Sequence, residues 1–287
     1  MTGFPDGHFY SPVIDADDLR RRADRLWRPR SGAPPGIDLA LDDQRAFLEA
    51  ARGVAGDYAY PDACADPNPD AYPDGEPTGD APHQFRDGNG LFEALDSRSL
   101  YCMLRMRSPK KMIEVGSGHS SLLAADVNTR WLEGKTEIVC IEPYPPDFLV
   151  DPPAGISELI PRRVEEMGVD RFLDLEAGDF LFIDSSHVSK TGSDVNFLYL
   201  EVFPRLAPGV VIHIHDVFIP GDYPKEWVLE EGRSWNEQYL LQAMLMYSSA
   251  FRVLFGSYCA SLFMADQIES VFGGRYGGGS FWIEKIL

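Results

Sequence analysis

Short apolar runs alternate with helical patterns over the last two thirds of the chain. Each apolar run has the length of a buried strand and is bounded by turn residues. The seven runs cover residues 112–115, 137–141, 157–160, 180–183, 210–214, 251–257 and 280–286. Helical patterns lie between them at residues 120–131, 163–173, 196–206 and 234–247, and residues 261–272 separate the last two runs. This alternation predicts an α/β fold whose doubly wound, seven-stranded sheet is mostly parallel, with the last strand inserted antiparallel.

The first 90 residues have a different character. Two helical patterns, at residues 17–27 and 42–54, stand on either side of a Pro-Pro-Gly break. From residue 57 to residue 90 the chain is rich in Pro, Gly, Asp and Tyr, and so long a loop suits a lid better than a core. We therefore expect an N-terminal helical and loop extension, residues 1–90, that caps the substrate, and a main domain at residues 91–287.

The composition limits the classes of partner. No apolar run approaches the roughly 18 residues of a membrane helix, and no signal peptide opens the chain, so we expect no membrane partner. The net charge of −19 argues against a nucleic-acid partner, because an acidic surface repels phosphate. The oligomeric state stays open, with a homo-oligomer among the alternatives.

The four cysteines are scattered and form no CxxC pair; they are Cys64, Cys102, Cys140 and Cys259. This spacing is typical of reduced thiols and gives neither a zinc site nor a disulfide framework. We expect a cytoplasmic protein.

A glycine turn joins the first strand to its helix. The order of strand, Gly116-Ser117-Gly118 and helix presents backbone N–H groups and a helix N-terminus to a ligand. A dinucleotide-binding loop would have a third glycine where this chain has Ser121, and no Gly-Lys-Ser/Thr follows. These departures argue against a dehydrogenase and against a P-loop enzyme.

Acidic residues mark the ends of neighbouring strands. Glu142 ends the second strand, where a carboxylate can accept hydrogen bonds from both ribose hydroxyls of an adenosine ligand. Asp184 and His187 follow the fourth strand, and His215 and Asp216 follow the fifth. Ligands of open α/β sheets bind beyond these carboxyl ends. His213 alternates with the exit residues of the fifth strand, and we interpret it as a core histidine beneath the site.

Four motifs together resemble the class I S-adenosylmethionine-dependent methyltransferases over residues 88–287, in particular a small-molecule branch with FIDSSH and HIHD signatures. They are Glu114-Val-Gly-Ser-Gly118, Glu142 after its strand, Phe182-Ile-Asp-Ser-Ser-His187 and His213-Ile-His-Asp216. The resemblance implies a Rossmann-like fold with S-adenosyl-L-methionine as cofactor. It also implies cofactor contacts at Glu114, Gly116, Ser117, Gly118, Glu142, Asn89 and Asp184, with Glu165 the nearest candidate after the third strand.

Two chemistries are open for methyl transfer to a hydroxyl. In the first, His187 or His215 acts as general base and Asp216 orients the base or the substrate. In the second, Asp184, His215 and Asp216 hold a divalent metal, as the resemblance to metal-dependent O-methyltransferases implies. A histidine among those ligands departs from the usual pair of acids and argues against magnesium.

Two further alternatives and a pocket complete the expectations. N-methylation suits the same site, and a cofactor-binding protein without catalysis is a separate class. We expect the aromatic segment at residues 217–227 to line the substrate pocket, together with Trp235 and Tyr239. Phe9 and Tyr10 could fold over the same mouth, and His119 stands beside the glycine turn.

Overall fold

A computed structural model describes residues 3–28, 32–63 and 85–287. Its centre is a sheet of seven strands in the order β3-β2-β1-β4-β5-β7-β6. The strands are β1 (Lys111–Val115), β2 (Glu137–Ile141), β3 (Glu158–Ile160), β4 (Phe180–Ile183), β5 (Val211–Ile214), β6 (Phe251–Gly256) and β7 (Phe281–Lys285). All seven predicted strands are present, and the ends of the observed strands lie within one residue of the predicted ends.

The sheet is parallel except at one strand. β1 pairs in parallel with β2 and with β4, and β4 pairs in parallel with β5. β7 lies antiparallel between β5 and β6. The predicted Rossmann-like, doubly wound sheet with an antiparallel last strand is therefore confirmed. Its strand order reverses at β1 and β4, so the carboxyl ends of these two strands border a crevice.

Eleven α-helices connect and flank the strands in the part of the chain that the structure describes. They are α1 (Ala16–Arg21), α2 (Ala23–Leu26), α3 (Leu41–Ala55), α4 (Ala94–Arg107), α5 (His119–Trp131), α6 (Asp147–Val150), α7 (Asp194–Phe197), α8 (Lys225–Leu229), α9 (Glu237–Leu245), α10 (Ser257–Phe263) and α11 (Ala265–Phe272).

Two predicted helices of the main domain differ in the structure. The pattern at residues 163–173 forms two short 3₁₀ turns, because Gly168 takes a φ of 75° between them and ends the first. The pattern at residues 196–206 begins as α7 and continues as a π-helix and a 3₁₀ turn. Pro204 lies in that last turn and has no backbone N–H to continue the α-helical ladder.

Apolar side chains cover both faces of the sheet. One face carries Ile113, Val115 and Leu181 and packs against residues of α9 and of the segment that begins with α7. The other face carries Met112 and Phe180 and packs against helices from both parts of the chain, namely α3, α4, α5 and α11. Successive strand residues point to opposite faces, so each strand contributes to both cores.

The N-terminal residues divide between two packing environments. Leu48 and Ala51 of α3 are fully buried in the core of the main sheet. Ile14, Leu19 and Trp27, in contrast, pack against the segment at residues 217–236. The division of the chain at residue 90 stays a prediction, and the centre of the predicted lid, residues 64–84 with Cys64, lies outside the described residues.

The remaining composition-based expectations concern thiols and membranes. Cys102, Cys140 and Cys259 are buried and free. No helix in the described ranges is long and apolar enough to cross a membrane.

Candidate active site

Two adjoining cavities open at the carboxyl ends of the central strands. The larger has a volume of about 780 Å³ and the smaller about 350 Å³. Both are lined by Gly116, Glu142 and Asp184, which follow β1, β2 and β4 respectively. The three strand ends that the sequence singled out therefore border one continuous space.

The glycine turn is held tightly against β4. Gly116 has a φ of 82°, and a Cβ at this position would lie 1.7 Å from the carbonyl oxygen of Asp184. The Gly116 N–H donates to the carbonyl of Ile141 at 3.0 Å. Only glycine fits this close approach and this left-handed backbone. Ser117 and Gly118 continue along the larger cavity, so all three residues of the turn lie where the sequence placed them.

Glu142 stands at the junction of the two cavities. Its carboxylate accepts hydrogen bonds from the N–H of Ser117 at 3.3 Å and from the N–H of Tyr144 at 2.7 Å. These contacts occupy two of about four acceptor sites on a carboxylate. The remaining sites can accept hydrogen bonds from ligand hydroxyls.

Glu114 lies beneath the glycine turn and lines neither cavity. Its carboxylate is fully buried and accepts hydrogen bonds from the hydroxyls of Ser120 and Ser121, each at 2.6 Å. Burial raises the pKa of this carboxyl to about 7, although the hydrogen bonds work in the opposite direction. In this arrangement Glu114 joins β1 to the first turn of α5 and does not reach the cavity as the predicted cofactor contact.

Asn89 likewise acts within its own loop. Its amide nitrogen donates to the carbonyls of Arg86 and Phe92, and its side-chain oxygen accepts from the N–H groups of Leu91 and Phe92. The side chain is thereby committed to the backbone. Its neighbours Gly90, Leu91 and Phe92 line the larger cavity, whereas Asn89 does not. Glu165 lines the smaller cavity.

A cluster of acids and histidines forms the floor of the larger cavity. Nε2 of His187 lies 3.3 Å from Oδ1 of Asp184 and 3.5 Å from Oδ2 of Asp216. One ligand atom of each residue lies within 4.8 Å of the others, close enough to share a metal ion. His187 and Asp216 have φ values of 58° and 56°. Such strained backbone at non-glycine residues concentrates at functional sites.

The ring of His215 contacts Asp96, a residue that the sequence analysis did not place in the site. Its Nε2 is 3.2 Å from Oδ2 of Asp96, and its Nδ1 is 3.4 Å from Asp184 and 3.7 Å from Asp216. The predicted metal set contained His215, but the atoms that converge are those of Asp184, His187 and Asp216. His215 lines the same cavity and lies beside this group.

The carboxylates dominate the electrostatics of the cluster. Burial alone would lower the pKa of His187, but Asp184 and Glu237 outweigh it and raise that pKa to about 10. The pKa of His215 is also raised by its acidic neighbours against the effect of burial. Burial alone would raise the pKa of Asp184, but His215 and His187 outweigh it and hold that pKa well below its usual range. Burial raises the pKa of Asp216.

Two carboxylates of the cluster were missed by the sequence analysis. Oε2 of Glu237 lies 2.9 Å from Nδ1 of His187, and Asp96 contacts His215 from α4. Both acids are buried, Asp96 in α4 and Glu237 in α9, and their only signal in the sequence is a charge where an apolar residue could stand. His213 is a core residue as expected: it is fully buried, stacks on Phe182 and lies 2.8 Å from the Ser280 hydroxyl.

Aromatic residues form the outer wall of the larger cavity. Trp227 and Trp235 line it, as predicted, and Arg233 lies between them in the sequence. His119 also lines this cavity and packs near Phe148. The other two predicted contributions are not brought to it. Tyr239 is exposed and donates to Asp222, and the Phe9–Tyr10 patch is exposed at the surface.

Comparisons with known proteins point to one activity class. Residues 113–217 match the family model described as a methyltransferase domain. An uncharacterized protein of Archaeoglobus fulgidus is 34% identical over 179 residues, which are 60% of this chain and 74% of that protein. The segment that matches the family model begins in β1 and ends just after Asp216, so it contains the glycine turn together with Asp184, His187, His215 and Asp216, whereas Asp96 and Glu237 lie outside it.

Three solved structures that are similar to the chain contain a bound cofactor, and two of them are named as O-methyltransferases. The O-methyltransferase TomG from Streptomyces achromogenes, in complex with SAM, is 17% identical over 66% of this chain and 78% of that chain, with a TM-score of 0.38. Cofactor-bound Rv0187 from MTB is 14% identical over 95% and 97%, with a TM-score of 0.42. The O-methyltransferase from Bacillus cereus, in complex with SAH, is 12% identical over 93% and 97%, with a TM-score of 0.38. TM-scores below 0.5 add no argument about function.

Proposed function

We propose that the chain is a class I methyltransferase, because residues 113–217 match a methyltransferase domain. In this proposal it transfers the methyl group of S-adenosyl-L-methionine to a hydroxyl of a small molecule, assisted by a divalent cation at Asp184, His187 and Asp216. The observation that carries the proposal is the convergence of these three side chains on the floor of a cavity whose other wall is the glycine turn. Assignment to the small-molecule branch and a cytoplasmic location are parts of the same proposal.

The residues around the glycine turn fit a sulfonium nucleoside. Glu142 retains acceptor capacity at the junction of the two cavities, where ribose hydroxyls can donate to it. Gly116, Ser117 and Gly118 line the wall between Glu142 and the cluster. When bound, the cofactor supplies a methyl group on a positively charged sulfur. The protein has to bind it, exclude water and align the acceptor.

The donor set also fits a divalent cation. Asp184 and Asp216 together balance two positive charges, and His187 supplies a nitrogen ligand. Glu237 occupies the other ring nitrogen of His187, which is the usual arrangement of a metal-binding histidine and its supporting carboxylate. The distances of 3.3 and 3.5 Å from Nε2 to the carboxylates are long for hydrogen bonds, as expected of ligands around a common centre. A mixed nitrogen and oxygen set favours Mn²⁺ or another transition metal over Mg²⁺.

The geometry supports metal assistance better than a histidine base. A base needs a ring nitrogen that faces the acceptor with a free lone pair. Carboxylates face both nitrogens of His187 and both nitrogens of His215. A bound cation would lower the pKa of the acceptor hydroxyl and fix its orientation, so neither histidine is needed to remove the proton. N-methylation needs no such activation and is the weaker proposal here.

Cofactor binding is tested directly by isothermal titration with S-adenosylhomocysteine and S-adenosylmethionine. We expect saturable binding of both to the wild-type protein. Absence of binding to the folded protein would refute the proposed function as a whole. Saturable binding without methyl gain in any acceptor panel would instead support a cofactor-binding protein without catalysis.

The cation is tested by binding as well as by activity. We expect Mn²⁺ to bind the wild-type protein more tightly than Mg²⁺ and Asp216→Asn to weaken Mn²⁺ binding at least tenfold. Asp222→Asn, an acid on the same loop outside the cluster, serves as the matched control and should bind Mn²⁺ like the wild type. Full methyl transfer after chelation would exclude a role for the metal and would favour the histidine base instead.

A further inference from the structure

A single guanidinium lies on the acceptor side of the larger cavity. Arg233 is the one Lys or Arg among the described residues that line this cavity, whereas Glu142, Asp184 and Asp216 are acidic. The whole chain carries a net charge of −19. A positive group at this mouth is therefore an exception to both the local and the overall charge.

Two indole rings hold the guanidinium in place. Its carbon lies 4.1 Å from the ring centre of Trp227 and 4.5 Å from that of Trp235. The two indoles are 5.6 Å apart and inclined at 76°, so they form a corner around the cation. Stacking of this kind fixes the plane of an arginine and leaves the N–H groups at its edge directed outward.

The charge of Arg233 is only partly used within the protein. Nε and Nη2 both contact the same oxygen of Glu231, at 2.7 and 2.6 Å. A guanidinium has five N–H donors, so a second anion can still be bound. Glu231 is 46% exposed and Arg233 31% exposed, which means that solvent screens this pair and makes it weak.

Trp235 connects this corner to the acid–histidine cluster. Its ring centre lies 4.4 Å from that of His187 and 4.5 Å from the Arg233 guanidinium. Trp227 and Trp235 are only half-buried, so part of each ring faces the cavity. A flat molecule lying along Trp235 would therefore reach from the cluster to the guanidinium.

From this arrangement we propose that the methyl acceptor is an aromatic hydroxy compound with an anionic group, a carboxylate or a phosphate, at the end remote from the methylated oxygen. Arg233 binds the anion, and Trp227 and Trp235 stack with the ring. The inference rests on the proposed methyl transfer and specifies its substrate class. The guanidinium sets specificity and takes no part in the transfer itself.

The test uses matched pairs of probes with protein saturated with S-adenosylhomocysteine and Mn²⁺. The panel contains 4-hydroxybenzoate, 4-hydroxycinnamate and 4-hydroxyphenylacetate, each beside its neutral primary amide, together with 4-hydroxyphenyl phosphate. Titration calorimetry measures each dissociation constant. We expect at least one acid to bind at least tenfold more tightly than its amide, and the phosphate arm shows which anion Arg233 prefers.

Two variants separate the local contact from the overall charge. Arg233→Gln should reduce the preference for acid over amide to less than threefold while leaving S-adenosylhomocysteine binding unchanged. Arg275→Gln removes the same charge from an exposed ion pair with Asp266 and Glu269, and it should keep the full preference. Circular dichroism confirms that each variant is folded.

The inference is overturned if no acid in the panel binds more tightly than its amide, or if Arg233→Gln keeps the preference. It is equally overturned if both variants lose the preference, because the effect would then come from the overall charge. Each of these results leaves cofactor binding intact and the proposed methyltransferase function standing. Failure of S-adenosylhomocysteine to bind in the first step would remove the proposed function itself.

Discussion

At the scale of single residues, the two acids beside the glycine turn differ in whether their oxygens can accept hydrogen bonds from a ligand. Glu142 has two backbone partners and faces both cavities, whereas Glu114 has two hydroxyl partners and faces none. Both acids follow the pattern that the resemblance assigned to cofactor contacts. The sequence could place them at the strand ends, but it could not show that neighbouring serines in α5 close off one of them.

Substitution of Glu142 tests its role as the ribose-binding acid. Glu142→Ala should weaken S-adenosylhomocysteine binding by about 1–3 kcal/mol, because hydrogen bonds to a charged acceptor are lost. Titration calorimetry measures the change. Glu137→Ala, at the opposite end of β2 in an exposed pair with Lys111, is the matched control and should bind as the wild type does. Equal affinity of Glu142→Ala and wild type would remove Glu142 from the cofactor site.

Glu114 makes a prediction about stability and pH. Its pKa rises from an ordinary 4.5 to about 7 on folding, so the folded state holds a proton that the unfolded chain releases. Stability should therefore fall as the pH rises from about 5 to 7, by roughly 3 kcal/mol at most. Glu114→Gln cannot ionise and should lose this dependence, so its stability relative to wild type should increase across that window.

Urea unfolding at several pH values between 5 and 8 measures this difference. Glu201→Gln, an exposed acid on the segment after α7, provides the control and should give a difference that does not change with pH. A constant difference for Glu114→Gln as well would mean that Glu114 ionises normally in the fold.

At the scale of elements, local pattern fixed the strands better than the helices between them. The central strands β1, β2, β4 and β5 are buried on both faces, and such short apolar runs between turn residues have few alternatives. The segment after β3 failed as a helix because Gly168 takes a left-handed backbone conformation that divides it. The pattern of apolar residues carries no information about this backbone angle.

The start of α9 was correctly read as helical, but its role in the site could not be foreseen. Glu237 lies 50 positions from His187 and reaches it only because the segment after β5 folds back over the strand ends. Sequence reasoning placed both histidines at the rim of the sheet. Which of them shares a metal with the acids depends on side-chain directions, and these depend on contacts with α4 and α9.

Glu237→Gln tests whether this helix positions His187, the histidine that we propose binds the cation. Loss of the carboxylate that supports His187 should weaken Mn²⁺ binding about 10- to 100-fold. S-adenosylhomocysteine binding should remain unchanged, because Glu237 lines neither cavity. Glu226→Gln, an exposed acid in α8, is the control. Unchanged Mn²⁺ affinity in Glu237→Gln would mean that this carboxylate contacts His187 without contributing to metal binding.

At the scale of the whole molecule, the N-terminal residues serve two different purposes. α3 belongs to the main core, where Leu48 and Ala51 are fully buried and Gln44 accepts a hydrogen bond from the N–H of Gly256. Residues 3–28 pack instead against the segment that carries the aromatic wall. The sequence suggested a cap from composition and loop length, and these features do not distinguish a helix in the core from one on a lid.

The contacts of residues 3–28 are specific to that segment. The Trp27 ring N–H donates to the carbonyl of Tyr223 at 2.8 Å, and the Ile14 N–H donates to the Ser234 hydroxyl at 3.2 Å. Ser234 lies between Arg233 and Trp235, both of which line the larger cavity. The N-terminal residues therefore support the aromatic wall of the larger cavity from outside. Their removal should loosen this wall without altering the glycine turn.

Two truncations distinguish the role of residues 1–28 at the aromatic wall from the role of α3 in the core. Removal of residues 1–28 should leave a folded protein that binds S-adenosylhomocysteine normally but loses most of its affinity for the acceptor, because Trp227 and Trp235 lose their outer support. Removal of residues 1–56 should destabilise the fold by several kcal/mol, since burial of α3 side chains such as Leu48 contributes about 1.5–3 kcal/mol each. Urea unfolding and calorimetry measure the two effects. If the shorter truncation weakened cofactor binding as much as acceptor binding, the N-terminal residues would act on the fold as a whole, and their specific role at the aromatic wall would be refuted.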